Sequence, residues 1–392
     1  MSSKVDAMKS MNKKEGLCIA ISFMGLLVLA SSLLHDYLEG YVINYGLYDK
    51  YGIIIGAALA VIGLILFIRN FSVKVNIFKI LLVVILVALP ATMGGFSYGY
   101  YLSEQDRQET ISEYDTWAIG IYKSSSSEPF DFTGDNVSNP VLTADDVTDI
   151  QAAFVADPFL IYQNDTYYMF FEVLNTYTDQ GDIGLAISND GFNWTYEQIV
   201  LDEEFHLSYP CVFKWENDYY MIPETYQAES VRLYKSNNFP YNWSFVKTLL
   251  EGRDFFVDNT IFQHNDTWWL FTETGSNDLL RLYYSDKLAG PWIEHPKSPI
   301  INGDANISRP GGNVIVFDKH RIIRYTQDYD PYYGNQVWAL EITTLTKTSY
   351  EEHRVGRAPI LKGFDNWNTR GMHHISPCSV SGNGWIASVD GY

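Results

Sequence analysis

The sequence predicts an all-β five-bladed β-propeller that follows an α-helical membrane anchor of three transmembrane helices. Two observations predict it: three apolar runs near the N-terminus, and a strand–turn–strand unit that recurs about every 50 residues after them. The unit is clearest at Asp157–Glu172, where an apolar run, an Asn-Asp-Thr turn and an aromatic run are typical of a β-hairpin. Because a hairpin brings its ends together, we expect Asp157 and Glu172 to lie at one end of a sheet.

The apolar runs are Leu17–Leu34, Gly52–Ile68 and Ile80–Phe96, with the third predicted helix spanning about 77–96. A cleaved signal peptide is the alternative for the first run, but two further runs close behind it favour membrane helices. Lysines precede the first run, acidic residues dominate the next loop, and basic residues return in the loop after that. The positive-inside rule then places the N-terminus in the cytoplasm and the chain beyond the third helix outside a cell membrane.

Composition narrows the possible partners. The net charge of −20 argues against nucleic acid, which requires a basic stripe, and leaves the lipid bilayer and a glycan or glycolipid as expected partners. Cys18, Cys211 and Cys378 form no metal-binding or disulfide framework. Oligomeric state is not indicated. Six glycosylation sequons follow the anchor, at Asn136, Asn164, Asn193, Asn242, Asn265 and Asn306.

After a polar linker at 103–116, residues 117–392 are predicted to form the propeller. Tyr209–Glu224 and Asp258–Glu273 match the first hairpin, and looser copies begin at Arg309 and near His373. A second strand pair, marked by Trp194, Trp243 and Trp292, separates the hairpins. Each repeat therefore makes a four-stranded blade, with its aromatic residues packing between blades. The strand at 117–123 is expected to close the ring by completing the last blade; a separate surface strand is the alternative.

The blade repeats converge at the propeller axis. The residues that begin first strands are Asp157, Tyr209, Asp258, Arg309 and His374, and those that end second strands are Glu172, Glu224, Glu273, Asp328 and Asp390. Because both sets return to one face, we expect a funnel lined by carboxylates, one Arg and one or two His.

Crowded carboxylates repel one another and raise some pKa values, and opposed pKa values serve acid–base chemistry. The recurring Glu is also compatible with a structural role, hydrogen-bonded to the backbone of the next blade. First-strand residues differ between blades, which favours them as site residues. The candidate catalytic residues are Asp157, Asp258, Glu224 and Glu273, and the candidate substrate-binding residues are Tyr209, Arg309, His373, His374, Asp328 and Glu172. No metal-type spacing surrounds the two histidines, so no metal or other cofactor is predicted from the residues themselves.

Several segments resemble the propeller domain found in glucosamine inositolphosphorylceramide transferase proteins, across 117–392. They are Ala156–Phe159, Ser208–Pro210, Tyr220–Glu224, Val231–Tyr234, Trp268–Phe271, Arg309–Gly312 and Gln327–Asp328. In plant members the glycosyltransferase region is separate and C-terminal, and this sequence carries no such region. Transferase activity is therefore not carried over with the resemblance.

The same fold is similar to the five-bladed propellers of family-43 glycoside hydrolases. Those use an Asp base in an Ala-Asp-Pro motif, a second Asp that tunes pKa and a Glu acid. The resemblance implies Asp157 as the base and Asp258 as the tuning residue. Arg309 stands where a Glu acid would be expected, so Glu224 or Glu273 is the alternative acid. Such propellers can hold calcium through a His, which makes His374 a candidate calcium ligand.

Three hypotheses follow. The first is a membrane-anchored, carbohydrate-active propeller that acts on cell-surface glycans or glycolipids by glycoside hydrolysis, with Asp157 as base. The second is a non-catalytic glycan-binding or accessory module of a glycosyltransferase or cell-envelope system. The third is a structural cell-envelope protein that uses the propeller for protein contacts.

Overall fold

The structure, a computed structural model, describes residues 116–252, 255–275, 277–318, 320–380 and 384–392. The three predicted transmembrane helices and residues 103–115 of the predicted linker lie outside these ranges. Within them, no helix combines the length and the apolar character needed to span a bilayer.

Five antiparallel sheets confirm the predicted five-bladed propeller. Blade 1 contains β2 (Ala152–Gln163), β3 (Thr166–Asn175), β4 (Gln180–Ser188) and β5 (Thr195–Leu201). Blade 2 contains β6 (Ser208–Trp215), β7 (Asp218–Glu224), β8 (Ser230–Asn238) and β9 (Asn242–Glu251). Blade 3 contains β10 (Val257–His264), β11 (Thr267–Glu273), β12 (Leu279–Ser285), β13 (Ile293–Glu294) and β14 (Ile301–Asn302).

Blade 3 thus has five strands, and the last two blades also depart from the four-stranded pattern. Blade 4 contains β15 (Ile315–Phe317), β16 (Arg321–Asp328), β17 (Gln336–Leu345), β18 (Tyr350–Arg354) and β19 (Leu361–Lys362). Blade 5 contains β20 (Ile375–Val380), β21 (Gly384–Gly391) and β1 (Ala118–Ser124). Two short 3₁₀ helices, Ala144–Asp146 and Tyr226–Ala228, lie in the connections.

Blade 5 joins segments that are distant in sequence. β1 pairs antiparallel with β21 along its whole length, from Ala118 opposite Gly391 to Ser124 opposite Trp385. Beyond β1, isolated bridges from Leu142 and Thr133 lie where a fourth strand would be. The blade is therefore completed by the first described strand of the chain.

The first strands of the blades meet at the axis. The backbone N–H of Leu160 in β2 donates to Ser376 Oγ in β20 at 3.0 Å. From β6, the Tyr209 hydroxyl lies 2.9 Å from Thr260 Oγ1 in β10 and donates to the Gly312 carbonyl oxygen of blade 4 at 2.9 Å. These contacts join blade 1 to blade 5 and blade 2 to blades 3 and 4.

Aromatic residues pack between the blades, as the sequence predicts. Tyr168 of blade 1 packs edge-on against Phe239 of blade 2, and Trp268 of blade 3 packs edge-on against Trp215 of blade 2. The tryptophans of the second strand pairs form hydrogen bonds within their own turns. The Trp194 indole N–H donates to the Gly191 carbonyl oxygen, that of Trp243 to the Pro240 carbonyl oxygen and that of Trp292 to the Leu288 carbonyl oxygen. Their repeated positions thus reflect blade architecture.

The pairing of β1 in blade 5 predicts a stability effect. Ile121 is fully buried opposite Ser388 of β21, so Ile121→Ala leaves a cavity in the blade. We expect it to lower the free energy of unfolding by about 3 kcal/mol in urea titrations followed by tryptophan fluorescence. Lys123→Ala on the same strand is the control. Equal values for both variants would show that β1 is not part of the cooperative core.

Candidate active site on the propeller axis

The same β-bulge occurs at the axial end of blades 1, 2 and 3. In each blade two first-strand residues lie opposite one residue of the second strand. The first bulged residue has a left-handed backbone, with φ of 52° at Asp157, 44° at Tyr209 and 50° at Asp258. A bulge of this kind re-aims a side chain out of the alternating pattern of the strand. It explains why these three residues, which differ in type, all reach the axis.

The recurring Glu lies in register with the bulge. Glu172, Glu224 and Glu273 pair with the residue just before the bulge in their own blades. Glu224 Oε2 also accepts the backbone N–H of Asp258 in the next blade at 3.0 Å. For Glu224, the structural role that the sequence left open is therefore observed.

Asp390 in blade 5 has the same role toward blade 1. Its Oδ2 accepts the backbone N–H of Asp157 at 2.9 Å. Its Oδ1 accepts the backbone N–H groups of His373 and His374 and the ring N–H of His373. This fully buried carboxylate thus fixes both the bulge at Asp157 and the histidine segment beside it.

Asp157 is the carboxylate that its surroundings keep ionised. Burial alone raises the pKa of Asp157, but His374, His373 and Arg309 together lower it below its ordinary value. His374 Nδ1 lies 3.4 Å from Asp157 Oδ1, and His373 Nε2 lies 3.9 Å from it. The pKa of His373 is raised, since Asp390 and Asp157 outweigh the opposite effect of burial.

The neighbouring glutamates have raised pKa values, which favours their protonated form. Burial, followed by the negative charge of Asp157, raises the pKa of Glu172 well above its ordinary value. Burial and the charge of Asp258 do the same for Glu224. Burial raises the pKa of Glu273 to about 7 despite the nearby Arg309, and Glu273 Oε1 has no hydrogen-bond partner in the described ranges. The site thus combines an ionised aspartate with carboxyls that retain protons near neutral pH.

Arg309 pairs with Asp258 and leaves Asp157 without a direct guanidinium partner. Its Nε donates to Asp258 Oδ2 at 2.5 Å, and its Nη1 donates to Asn277 Oδ1 at 2.8 Å. Gln327 Nε2 donates to the same Asp258 oxygen at 2.8 Å. The charge of Asp258 is therefore neutralised within the site, and Arg309 is committed to this pair.

The structure brings together most of the predicted site residues. We use "axial site" for Asp157, Glu172, Glu224, Asp258, Glu273, Arg309 and His373. The predicted substrate contacts of Tyr209 and Asp328 are not supported. Tyr209 is fully buried, and its hydroxyl accepts the Gly312 N–H in addition to its contacts with Thr260 and the Gly312 carbonyl. The Asp328 carboxylate accepts N–H groups from Asp330, Gln336 and Trp338.

Sequence reasoning missed three residues at the site. His206 Nε2 lies 3.5 Å from Glu172 Oε1, and the His206 side chain is 18% exposed. The Arg309 guanidinium lies over the Tyr333 ring at 5.2 Å, and Trp117 stacks on His373 at 4.0 Å. His206 and His374 each lie just before a first strand, β6 and β20, and this shared position could have identified His206. Tyr333 lies in an irregular loop with no repeated counterpart.

The donor groups do not match a calcium site. Calcium takes six to eight oxygen ligands. His374 has one carboxylate nearby, that of Asp157, and otherwise contacts the rings of Phe159 and Tyr209 edge-on. Asp157, His373 and Asp390 have potential ligand atoms within 4.8 Å of one another, but the Asp390 oxygens already accept four N–H groups.

The fold and the site together define the class of this domain, a five-bladed β-propeller with an acidic site on its axis. The family model described as "Glucosamine inositolphosphorylceramide transferase 1, N-terminal" matches residues 111–392, and the chain belongs to this family.

Two curated relatives are named glucosamine inositolphosphorylceramide transferase 1. The protein from Oryza sativa subsp. indica is 38% identical over 297 residues, covering 70% of this chain and 40% of the relative. The protein from Arabidopsis thaliana is 35% identical over 299 residues, covering 70% and 39%. The chain thus spans about two fifths of the length of the relatives it matches.

A solved structure with a similar fold is an exo-1,5-alpha-L-arabinanase from a bovine ruminal metagenomic library. It is 17% identical, with a TM-score of 0.45, and the match covers 61% of this chain and 88% of that chain. A likeness of this degree carries no information on the reaction.

The raised pKa of Glu273 predicts a pH effect on stability. The folded chain binds this proton more tightly than the unfolded chain, so stability falls as pH rises from 4.5 to about 7. Glu273→Gln removes that fall. We expect the variant to gain roughly 3 kcal/mol on the wild type between pH 4 and pH 8, measured as the difference in unfolding free energy. The exposed Glu197→Gln is the control, and a pH-independent difference for Glu273→Gln would contradict the burial argument.

Proposed function

We propose that this propeller acts on glycans or glycolipids at the outer surface of a cell membrane and cleaves a glycosidic bond at the axial site. One feature carries the proposal: the axial site combines Asp157, whose pKa is lowered by His374, His373 and Arg309 against the effect of burial, with Glu172 and Glu273, whose pKa values burial raises. Glycoside hydrolysis by inversion requires one carboxylate to activate water and one carboxylic acid to protonate the leaving oxygen. Opposed pKa values in one site supply both at neutral pH.

Each axial residue then has a definite role. Asp157 removes a proton from water as the water oxygen bonds to the anomeric carbon. Glu273 donates its proton to the glycosidic oxygen as the carbon–oxygen bond breaks, because its pKa of about 7 and unpartnered oxygen suit a general acid. Asp258 contributes a negative charge that raises the pKa values of Glu224 and Glu273, while Arg309 limits its repulsion.

The second candidate function is a glycan-binding accessory module without cleavage. The burial of the axial carboxyls favours it, since none of Asp157, Glu172, Glu224, Asp258 and Glu273 is more than 6% exposed. The length of the relatives also favours it, because a module of this size would accompany further regions in them. Their name mentions glucosamine and inositolphosphorylceramide, and we propose a glycolipid of that kind as the ligand in either case.

The proposed location is the outer surface of a cell membrane, with the N-terminus in the cytoplasm. It is supported by the apolar runs before residue 103 and by the distribution of basic residues around them. In this arrangement the bilayer is a partner of the chain and keeps the propeller close to glycolipid headgroups.

Hydrolysis is tested with the whole chain on a panel of glycolipids and oligosaccharides, with release of reducing ends as the readout. We expect Asp157→Asn and Glu273→Gln each to lower the cleavage rate by 10²- to 10⁴-fold, because each removes one proton transfer. Glycan-array binding of both variants should persist. Glu197→Gln, an exposed carboxyl on β5, is the control with unchanged rate.

The outcomes separate the two functions. Cleavage by the wild type that Asp157→Asn leaves unchanged would exclude Asp157 as the base. Binding without cleavage by the wild type and both variants would favour the accessory module. The inverting mechanism would fail if the released sugar retained its anomeric configuration.

A further inference from the structure

Glu172 differs from the carboxylates at the equivalent positions of other blades. In blades 2 and 5 the equivalent carboxylate accepts the backbone N–H of a bulged aspartate in the next blade. Tyr209 occupies the corresponding bulge after blade 1, but the hydrogen bonds of the described residues include none from its backbone N–H to Glu172. The Glu172 carboxyl therefore lacks the structural bond that its equivalents make, and it faces His206 instead.

His206 is held beside Glu172 by both neighbouring blades. Its ring Nδ1 accepts the backbone N–H of Gly181 in blade 1 at 2.9 Å, and its own backbone N–H donates to Gln227 Oε1 in blade 2 at 2.9 Å. A Cβ at position 181 would lie 2.9 Å from Glu172 Oε1 and 3.0 Å from His206 Cε1. Glycine at this position thus allows the imidazole and the carboxyl to approach each other.

The bond from Gly181 fixes the proton of the neutral His206 ring on Nε2. A proton on Nδ1 would place two N–H donors against each other, so Nδ1 is the acceptor nitrogen. The protonated Nε2 lies 3.5 Å from Glu172 Oε1. Burial also lowers the pKa of His206, although the charges of Asp157 and Asp179 oppose this effect. His206 is therefore a neutral donor that is directed at one oxygen of Glu172.

The proton of Glu172 lies on Oε2 for the same reason. Glu172 is 6% exposed, and burial together with the charge of Asp157 favours its protonated form. Because the His206 N–H faces Oε1, a proton on Oε1 would oppose another donor. No atom in the part of the chain that the structure describes accepts a hydrogen bond from this carboxyl. A buried O–H is unfavourable unless a ligand or a water molecule supplies the acceptor.

We propose that Glu172 donates a hydrogen bond from Oε2 to an oxygen of the sugar unit beside Asp157, and that His206 is the positioning residue that keeps the proton on that atom. This inference rests on the proposed function, because it places the ligand at the same axial site. An O–H donor requires an atom with a free lone pair. At this position it selects a hydroxyl or ring oxygen over an ammonium group.

Infrared difference spectra of the ligand-free whole chain test the position of the proton. With isotope-labelled glutamate at neutral pH, the wild type minus Glu172→Gln should show the C=O band of a protonated carboxyl. In His206→Phe the band should move to higher frequency, because the Glu172 C=O loses the N–H at Oε1. His206→Gln supplies an amide N–H and should reverse most of the shift.

Calorimetry with the S-methyl thioglycosides of glucose, galactose and mannose, which resist cleavage, tests the hydrogen bond to the ligand. For a glycoside that binds the wild type, Glu172→Ala should weaken binding about tenfold. Glu172→Gln should weaken it only about twofold, because an amide N–H can donate in place of the O–H. His206→Phe should weaken it about threefold, with most of the loss restored in His206→Gln.

Two exposed residues provide matched controls. His353→Gln on β18 and Glu197→Gln on β5 should leave both the infrared band and the affinity unchanged. Thermal unfolding checks that each variant remains folded. The comparison of Glu172→Gln with the wild type preserves side-chain volume, so it tests the proton even where Glu172→Ala does not fold.

The proposal is wrong if the protonated band is absent, if His206→Phe leaves its frequency unchanged, or if none of the glycosides binds. It is also wrong if Glu172→Gln weakens binding as much as Glu172→Ala, since an ionised Glu172 would then be the binding group. These results differ from a failure of hydrolysis. Binding that depends on Glu172 in a chain that cleaves no glycan would support the present proposal and reject catalysis. Cleavage that depends on Asp157, with a band that ignores His206, would do the reverse.

Discussion

A carboxylate of one blade that accepts a backbone N–H of the next is the interaction on which the axial site depends. Glu224 holds Asp258 in this way, and Asp390 holds Asp157. Both recipients have left-handed backbones, which cost a non-glycine residue on the order of 1 kcal/mol or more. A bulge also removes an N–H from its ladder partner, and leaving it unbonded in a buried place would cost about as much again. The carboxylate accepts a hydrogen bond from that group, so the blade junction and the orientation of the axial side chain are stabilised together.

This arrangement explains how so many acids share one buried place. Removal from water raises the free energy of an ionised carboxylate. The cluster is therefore stable because some of its carboxyls are protonated and others are paired with donors. Asp258 has Arg309 and Gln327, Asp390 has four N–H donors, and Glu172 and Glu224 retain protons. Asp157 differs because its neighbours are two histidines, which stabilise its charge without forming a short ion pair. Asp157 therefore has a lowered pKa without a short ion pair to a single partner.

The sequence predicts the architecture well because the repeats are local. Hairpin ends pair as expected, with Ala156 opposite Glu172, and the recurring Glu appears at equivalent register in three blades. The use of each axial residue is harder to predict, because it depends on contacts between blades. Nothing in the repeat distinguishes Tyr209, which fills the axis, from Asp157 and Asp258, since all three occupy the same bulge. The position of Tyr333 is set by an irregular loop and that of Trp117 by the pairing of β1 with β21, and neither has a periodic signal in the sequence.

The pairing of β1 with β21 makes the ring dependent on the order in which the chain is made. β1 precedes every other strand that the structure describes and its partner β21 follows them, so the strands of the other four blades are all made before β1 can dock. Contacts between such distant segments form slowly because a long loop must close. Until then the Asp390 carboxylate is absent from Asp157, and the bulge there has no acceptor. The axial site therefore reaches its final geometry in the same step that closes the ring, and a chain truncated before β21 would lose both the acceptor for the Asp157 N–H and the closure of the ring.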